Sequence, residues 1–130
     1  MRRSPGNGES SALVRVRKAK RSDIDRIVDI ERSWLHLSHW SIDSYYRLIS
    51  DEEFTTSYVA EVENYPGVPV VAGFVILHTV SDVTEIYNIA VDSQHARTGV
   101  GSQLMHAVIS ESARRRAAKV LLEVRKSNLG

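Results

Sequence analysis

The sequence predicts a single α+β domain whose elements run β-α-α-β-β-β-α-β. Three observations carry this. In the middle of the chain, strand-like apolar runs are joined by connections too short for crossovers, the pattern of an antiparallel meander. Apolar stripes at helical spacing precede the meander and follow it. The last helix stands between two strands, as in a parallel crossover. The 130 residues suit one hydrophobic core and leave no room for a second.

Residues 1–12, MRRSPGNGESSA, are rich in Ser, Gly, Pro and Asn and carry no apolar pattern. They read as a disordered basic tail, with the folded domain over 13–130. No apolar core follows Arg2 and Arg3, so the tail is neither a secretory nor a twin-arginine signal. Leu13-Val14-Arg15-Val16-Arg17 alternates apolar and basic residues and predicts the first strand. Ser22 is placed to cap the first helix, with Asp23 and Asp25 at its positive end. Ile24, Ile27, Val28, Ile30, Trp34 and Leu35 form its apolar stripe. Ser41 caps a second helix carrying Tyr45, Tyr46 and Leu48 as far as about residue 49. Strands follow over 57–62, 68–80 and 85–91, separated by Asn64-Tyr65-Pro66-Gly67 and by Ser81-Asp82. A glycine-bearing loop over 92–98 leads to a helix over about 99–117, with Val100, Leu104, Ala107 and Val108 on one face. Its solvated end carries Arg114, Arg115 and Arg116, and residues 119–125 form a final apolar strand.

Composition excludes several functions. There is no cysteine, so there are no disulfides, no thiolate nucleophile and no cysteine zinc site, and a reducing cytoplasm is the expected compartment. No apolar run is long enough to span a membrane. The net charge is +1, which argues against bulk nucleic-acid binding. That balance conceals an asymmetry. Residues 1–22 hold seven basic residues and one acidic, whereas 23–130 hold ten basic and fifteen acidic. The front reads as a solvated tail and exposed first strand, with a nucleic-acid-contacting arm as the other reading.

The most informative stretch is residues 86–104, IYNIAVDSQHARTGVGSQL. A strand ends at Val91, and Arg97-Thr98-Gly99-Val100-Gly101-Ser102 sits at a helix start. Glycines there let backbone approach a ligand, and the free amides of a first helical turn suit a phosphate. Arg97 and the Thr98 and Ser102 hydroxyls could add contacts. Spacing alone leaves a tight ligand-free turn as open as a phosphate site. The third glycine of a dinucleotide fingerprint and the Gly-Lys-Ser/Thr of a P-loop are both absent.

This stretch resembles motif A, Gln/Arg-x-x-Gly-x-Gly/Ala, of the GNAT superfamily of N-acetyltransferases. Asn88-Ile89-Ala90-Val91-Asp92, followed at matching separation by Leu121-Leu122-Glu123-Val124-Arg125-Lys126-Ser127-Asn128, resembles more narrowly its ribosomal-protein alanine N-acetyltransferase (RimI) subfamily. Ser38-His39-Trp40-Ser41 matches the Pro-Trp-Ser of that subfamily. The resemblance covers about residues 13–128. It implies the GNAT acyl-CoA N-acyltransferase fold, a mixed central sheet flanked by helices, with acetyl-CoA as cosubstrate and no metal. It also implies acetyl transfer to a protein N-terminal α-amine, with the N-terminal alanine of a ribosomal protein as the expected acceptor.

By the same resemblance, Ile89, Ala90 and Val91 meet the acetyl-CoA arm. Ala96, Arg97, Thr98, Gly99, Val100 and Gly101, with Ser102 beside them, hold its pyrophosphate. Asn128 contacts the cosubstrate, and Glu123 is the general base. An α-amine titrates near pH 8, so a part-buried carboxylate can take its proton, and a strand-end N–H such as that of Val91 could serve the oxyanion. Read without the resemblance, Glu123 is a surface strand residue paired with a basic neighbour.

Two departures matter. Ala96 replaces the family's Gln/Arg, which predicts weaker pyrophosphate binding. The family's last helix, with its general-acid tyrosine, and two further strands are missing after Gly130. The sequence therefore predicts a domain incomplete at its C-terminus, with a catalytically impaired acetyl-CoA-binding fragment as the alternative function. It also leaves 119–125 as an apolar edge that invites self-association. His36 and His39 lie three apart without a carboxylate at ligand spacing, and His78, His95 and His106 are scattered. Glu31 and Asp43 read as solvated helix faces or cleft carboxylates, and Trp34 and Trp40 as core or cleft wall.

Overall fold

The computed structural model describes residues 14–34 and 40–122. The tail over 1–12, the pair His36 and His39, and the site candidates Glu123 and Asn128 lie outside the described residues. The elements are β1 (Arg15–Lys18), a 3-10 turn (Arg21–Asp23), α1 (Ile24–Arg32), α2 (Ile42–Ser50), β2 (Thr55–Tyr65), β3 (Val68–Val80), β4 (Val83–Val91), a second 3-10 turn (Ser93–His95), α3 (Val100–Arg114) and β5 (Lys119–Leu122). They follow the expected order and form one mixed sheet, β1-β2-β3-β4-β5. Pairs β1 to β4 are antiparallel, and β4 and β5 are parallel.

The sheet separates two cores. On one face Ile24, Ile27, Ile30 and Tyr45 of the first two helices pack on Val59, Phe74, Ile76 and Ala90. On the other, Val100, Leu104 and Val108 of α3 pack on Ala60, Ala72, Val75, Leu77 and Ile86. The period-two alternation of β3 distributes these side chains, since Phe74 and Ile76 face the first core while Val75 and Leu77 face the second. Gly73 sits where α3 crosses β3. A Cβ there would lie 2.8 Å from Val100 Cγ1 and 3.1 Å from the Ala90 carbonyl, so only glycine lets the helix start close on the sheet.

The local chemistry of α2 follows the sequence, with the Ser41 hydroxyl accepting the Ser44 N–H at 3.2 Å. At α1 the expected cap is corrected. Ser22 lies inside the 3-10 turn, and Asp23 is the organising residue. Its carboxylate accepts the Lys20 N–H at 2.7 Å and both ends of the Arg17 guanidinium at 2.9 and 3.0 Å. Arg17 also reaches Glu61 at 2.9 Å, so one side chain on β1 ties α1 to β2. The β2–β3 turn has Gly67 at φ +79°, as the residue after proline in a type II turn requires.

β5 ends among the described residues at Leu122, paired with Ile86. Its start is tied down by Ala118 and Lys119 amides that both donate to the Asp82 carbonyl, at 2.6 and 3.1 Å. Val120, Leu121 and Leu122 are 42, 48 and 55% exposed. No helix among the described residues is long and apolar enough to cross a membrane.

Candidate active site

The site is built where β4 gives way to α3. Opposite β3 the pairing slips between Ile76 and Leu77, leaving Tyr87 as an extra residue in β4. Beyond it, the phase of the strand is fixed by the Asp92 N–H, which donates to the Ala72 carbonyl at 2.7 Å. Backbone groups alternate sides along a strand, so Asn88 and Ala90 also bond toward β3 while Ile89 and Val91 point outward. Parallel pairing with β5 stops at Ile86 among the described residues. Beside this stretch lies a groove of about 310 Å³ with an almost entirely apolar lining, formed by Trp34, Ile89, Ala90 and Val91.

The loop after Val91 is organised by Asp92. Its carboxylate accepts the Gln94 N–H at 3.1 Å and the Arg26 guanidinium, while Arg26 Nε donates to the Val71 carbonyl at 2.8 Å. Burial alone would raise the Asp92 pKa, but the Gln94 N–H and Arg26 outweigh it and hold the group below the usual carboxylate range. The Thr98 hydroxyl donates to the His95 carbonyl at 2.5 Å, so its proton braces the loop, and what Thr98 offers a ligand is backbone.

The chain then makes a tight reversal. Arg97 has φ +67° and Gly99 has φ +91°. A non-glycine residue held left-handed costs on the order of 1 kcal/mol or more, which the surrounding bonds must offset. Gln103 is the first residue whose N–H finds a helical acceptor, the Gly99 carbonyl at 3.0 Å. By helix geometry the amides of Val100, Gly101 and Ser102 have no acceptor within the helix, and the dipole adds positive potential there. At Gly101 a Cβ would make only an ordinary 3.7 Å contact with Val91, so the fold itself does not demand glycine at that position.

The groove is supported by a polar cluster that sequence reasoning misread. Glu31 lies on neither a solvated helix face nor an open cleft. It is fully buried, and its carboxylate accepts the Tyr45 hydroxyl at 2.7 Å, Asn88 Nδ2 at 3.0 Å and the Trp40 N–H at 3.1 Å. Asn88 Nδ2 also donates to the Tyr45 oxygen at 2.8 Å. Burial, then the neighbouring Glu31 carboxylate, push the Tyr45 hydroxyl pKa well above its ordinary value, so it remains a donor. The signal was available in the sequence. Glu31 falls seven, four and three residues after Ile24, Ile27 and Val28, on the buried stripe itself. Trp34 is a cleft wall, as expected, with its indole N–H donating to the Val91 carbonyl at 2.6 Å. Among the described residues no group of His, Asp and Glu side chains is placed to hold a metal ion.

The arrangement thus brings Ile89, Ala90, Val91 and the segment 96–102 to one end of β4. A profile of the acetyltransferase (GNAT) family matches residues 22–130. A Bacillus subtilis (strain 168) protein, provisionally named a ribosomal protein bS18-alanine N-acetyltransferase, is 28% identical over 113 residues, covering 87% of this chain and 71% of that protein. The ribosomal protein bS18-alanine N-acetyltransferase of Escherichia coli (strain K12) is 42% identical over 57 residues, which is 44% of this chain but only 38% of that enzyme. Among solved structures, the ribosomal-protein-S18-alanine N-acetyltransferase from Escherichia coli superposes with a TM-score of 0.73 at 28% identity, over 89% of this chain and 70% of that one. Rv2747 from Mycobacterium tuberculosis, in complex with CoA and NLQ, shares the fold with a TM-score of 0.72 at 22% identity, over 86% and 65% of the two chains.

Proposed function

The chain belongs to the acetyltransferase (GNAT) family, and from that premise we propose that it transfers acetyl from acetyl-CoA to a protein N-terminal α-amine, with the N-terminal alanine of a ribosomal protein as acceptor. The observation that carries this reading is the convergence of two features at one strand end. Left-handed Arg97 and Gly99 turn the first-turn amides of α3 toward the end of β4, where an anionic pyrophosphate would be held. The outward edge of Ile89 and Val91 offers hydrogen-bonding groups to an extended arm that carries amides. The two features suit the two chemically distinct parts of acetyl-CoA. Bound there, acetyl-CoA supplies a thioester-activated acyl group.

The rest of the reading concerns the chain's own residues. Ala96 brings no side-chain contact to the pyrophosphate, so the backbone amides over 97–102 carry that interaction. Glu123 directly follows Leu122, the partner of Ile86, and is the proposed base for the incoming ammonium. Asn128 is a further proposed cosubstrate contact. The acceptor named for the Bacillus and Escherichia relatives supports a ribosomal-protein N-terminus, and the setting proposed for this reaction is the cytoplasm.

The test is CoA release from acetyl-CoA in the presence of a peptide beginning with alanine. We expect Glu123→Gln to lower turnover at least a hundredfold while acetyl-CoA still raises the melting temperature. Turnover that survives the substitution overturns the role of Glu123. A melting temperature unmoved by acetyl-CoA overturns the cosubstrate reading itself. A thermal shift with no turnover on any amine would favour a binding fragment.

A further inference from the structure

Cations at the β1 edge of the sheet are neutralised unevenly. β1 is the outermost strand, and with the turn after it presents Arg15, Arg17, Lys18, Lys20 and Arg21 within one short stretch. Two carboxylates reach this stretch, Asp23 and Glu61, and both bind Arg17, at 2.9 Å each. Arg15, Lys18, Lys20 and Arg21 are exposed and form no ion pair among the described residues. The end of α2 adds Arg47 and the exposed ring of Tyr46. The reason is local. Tyr45, Leu48 and Ile49 turn toward the first core, where Ala19 also packs, so Tyr46, Arg47 and Ser50 are left outward beside the turn. Arg21, Tyr46, Arg47, Ser50 and Asp51 line a hollow of about 420 Å³.

We infer that this basic edge is a docking surface for single-stranded RNA, with the hollow at its centre. The Arg21 guanidinium carbon stands 5.7 Å from the Tyr46 ring centroid, and Arg21 Nη2 lies 3.4 Å from the Ser50 hydroxyl oxygen. Arg47 makes one equally long contact, 3.4 Å, to the Ser44 hydroxyl oxygen. Each guanidinium carries a planar fork of N–H donors, so most of both forks is left for phosphate oxygens. Asp51 is outnumbered by the two guanidiniums that share its hollow. An exposed ring beside guanidiniums is also a platform on which a nucleobase stacks, whatever the base. The two features together suit a partner built of phosphates and rings. A bilayer surface would meet the protruding cations, but a flexible strand can also enter the hollow that holds Tyr46.

The rest of the chain confines such a partner to this edge. Residues 23–130 hold ten basic and fifteen acidic residues, so a polyanion is repelled by most of the remaining surface. The net charge of +1 therefore excludes bulk binding and leaves room for a local site. β1 lies three strands from β4, roughly 14 Å across the sheet, so the surface and the groove beside β4 can be occupied together. The choice of RNA over DNA rests on the acceptor reading above. A ribosomal-protein N-terminus is presented in RNA-containing surroundings, and an enzyme that holds the RNA raises its effective concentration near that acceptor.

The test is the fluorescence anisotropy of a labelled single-stranded RNA, titrated with the full chain at several salt concentrations. With about three to five phosphates engaged, affinity should fall about 15- to 100-fold between about 50 and 200 mM salt. Replacing Arg21→Gln and Arg47→Gln together should weaken binding about tenfold or more at low salt and make the log–log salt slope shallower by about 1.4. Tyr46→Ala should weaken binding about fivefold or more and leave the slope unchanged, because it removes stacking and no charge. All three side chains are exposed, so the fold should tolerate their loss, and melting temperatures check this. Arg116→Gln with Lys119→Gln removes the same charge beside β5, at the opposite edge of the sheet, and should leave affinity within about twofold. RNA left unbound by the wild type at low salt would overturn the proposal. So would equal weakening by the β5 pair, a slope indifferent to Arg21 and Arg47, or tighter binding of the DNA counterpart. Phosphatidylglycerol vesicles that bind through Arg21 and Arg47, while RNA does not compete, would reassign the surface to a membrane. Turnover of the alanine peptide by the Arg21 and Arg47 variant should stay within about twofold of wild type, and its loss would place these residues in the acceptor site instead. The binding measurements require no acetyl transfer. Absent turnover on every amine would remove the activity reading alone, and absent RNA binding would remove this inference alone.

Discussion

Glu31 and Glu111 are both helix carboxylates sunk into the core, at 0 and 4% exposure, and their neighbours compensate them in opposite ways. Glu31 is met by neutral donors from Tyr45, Asn88 and the Trp40 backbone. Glu111 is met by two guanidiniums, Arg114 at 2.6 Å and Arg115 at 2.7 Å, and by the hydroxyls of Thr56 and Tyr58 at 3.2 and 3.1 Å. The Arg115 guanidinium continues to Thr56 and to the Glu53 carbonyl, tying the end of α3 to the start of β2. Glu111 lies roughly 16 Å along the helix axis from the phosphate-loop end. The difference separates two uses of a buried charge. Charged partners hold a joint together and place it under pH control. Neutral partners fix which atom of a neighbour faces which way, and at Glu31 that neighbour is Asn88, which precedes Ile89 in β4.

The comparison can be broken most directly by deleting each carboxylate. Glu31→Ala strands the Tyr45 hydroxyl and the Asn88 amide in the core, and it should cost about 3–5 kcal/mol in urea unfolding. A cost under about 1 kcal/mol would mean that water replaces the carboxylate and that the cluster does not specify Asn88.

Acid titration offers the next largest effect and sharpens the other half of the comparison. Burial opposes ionisation of Glu111, but Arg114, Arg115 and Tyr58 outweigh it and hold its pKa at about 2, against 4.5 for an ordinary glutamate. Because the folded value is the lower one, the stabilisation is fully present above pH 4.5 and is lost as pH falls toward 2. Arg114 is 63% exposed, so water screens part of the interaction, and the loss should be on the order of 2 kcal/mol. Glu111→Gln should flatten this acid limb without changing KM for acetyl-CoA. An acid limb that survives the substitution would assign the effect to other carboxylates, with Asp23 and Asp92 first among them, since both titrate below the usual range.

These two residues also mark how far the sequence could be read. Element order, the meander and the loop at the start of α3 were legible because periodicity and glycine placement are local signals. β3 falls over Val68–Val80 as its uninterrupted apolar run predicts. β2 extends beyond the predicted 57–62 because Thr55 and Thr56, polar in the sequence, are buried against neighbouring elements. α3 stops at Arg114, three residues early, where Arg116 takes φ +61° without a glycine to announce the reversal. Glu31 was hidden for a different reason. Its position on the apolar stripe was visible, but its partners come from α2 and β4, and nothing local says that a tyrosine and an asparagine will arrive there. The phase of β4 beyond the Tyr87 bulge was less legible still, since the bond from the Asp92 N–H to the Ala72 carbonyl sets it.

The smallest contrast isolates the hydroxyl that each cluster contributes. Tyr45 is fully buried, donates to Glu31 and accepts from Asn88, so Tyr45→Phe removes two hydrogen bonds and leaves one carboxylate lone pair and one amide proton unserved. Tyr58 is half-buried, and its hydroxyl gives Glu111 one bond of 3.1 Å among several. Burial and the adjacent Glu111 raise the Tyr58 pKa to about 12, so this hydroxyl too is a donor at neutral pH. When it is removed, the guanidiniums of Arg114 and Arg115 still serve the carboxylate. Tyr45→Phe should therefore cost about 1–2 kcal/mol and Tyr58→Phe about 0.5 kcal/mol in paired urea melts at pH 7. Only the first should also lower kcat for the alanine peptide, because only there does the lost hydroxyl orient Asn88, which precedes Ile89 in β4. Equal costs, or a kinetic effect confined to Tyr58→Phe, would erase the distinction between the two carboxylates.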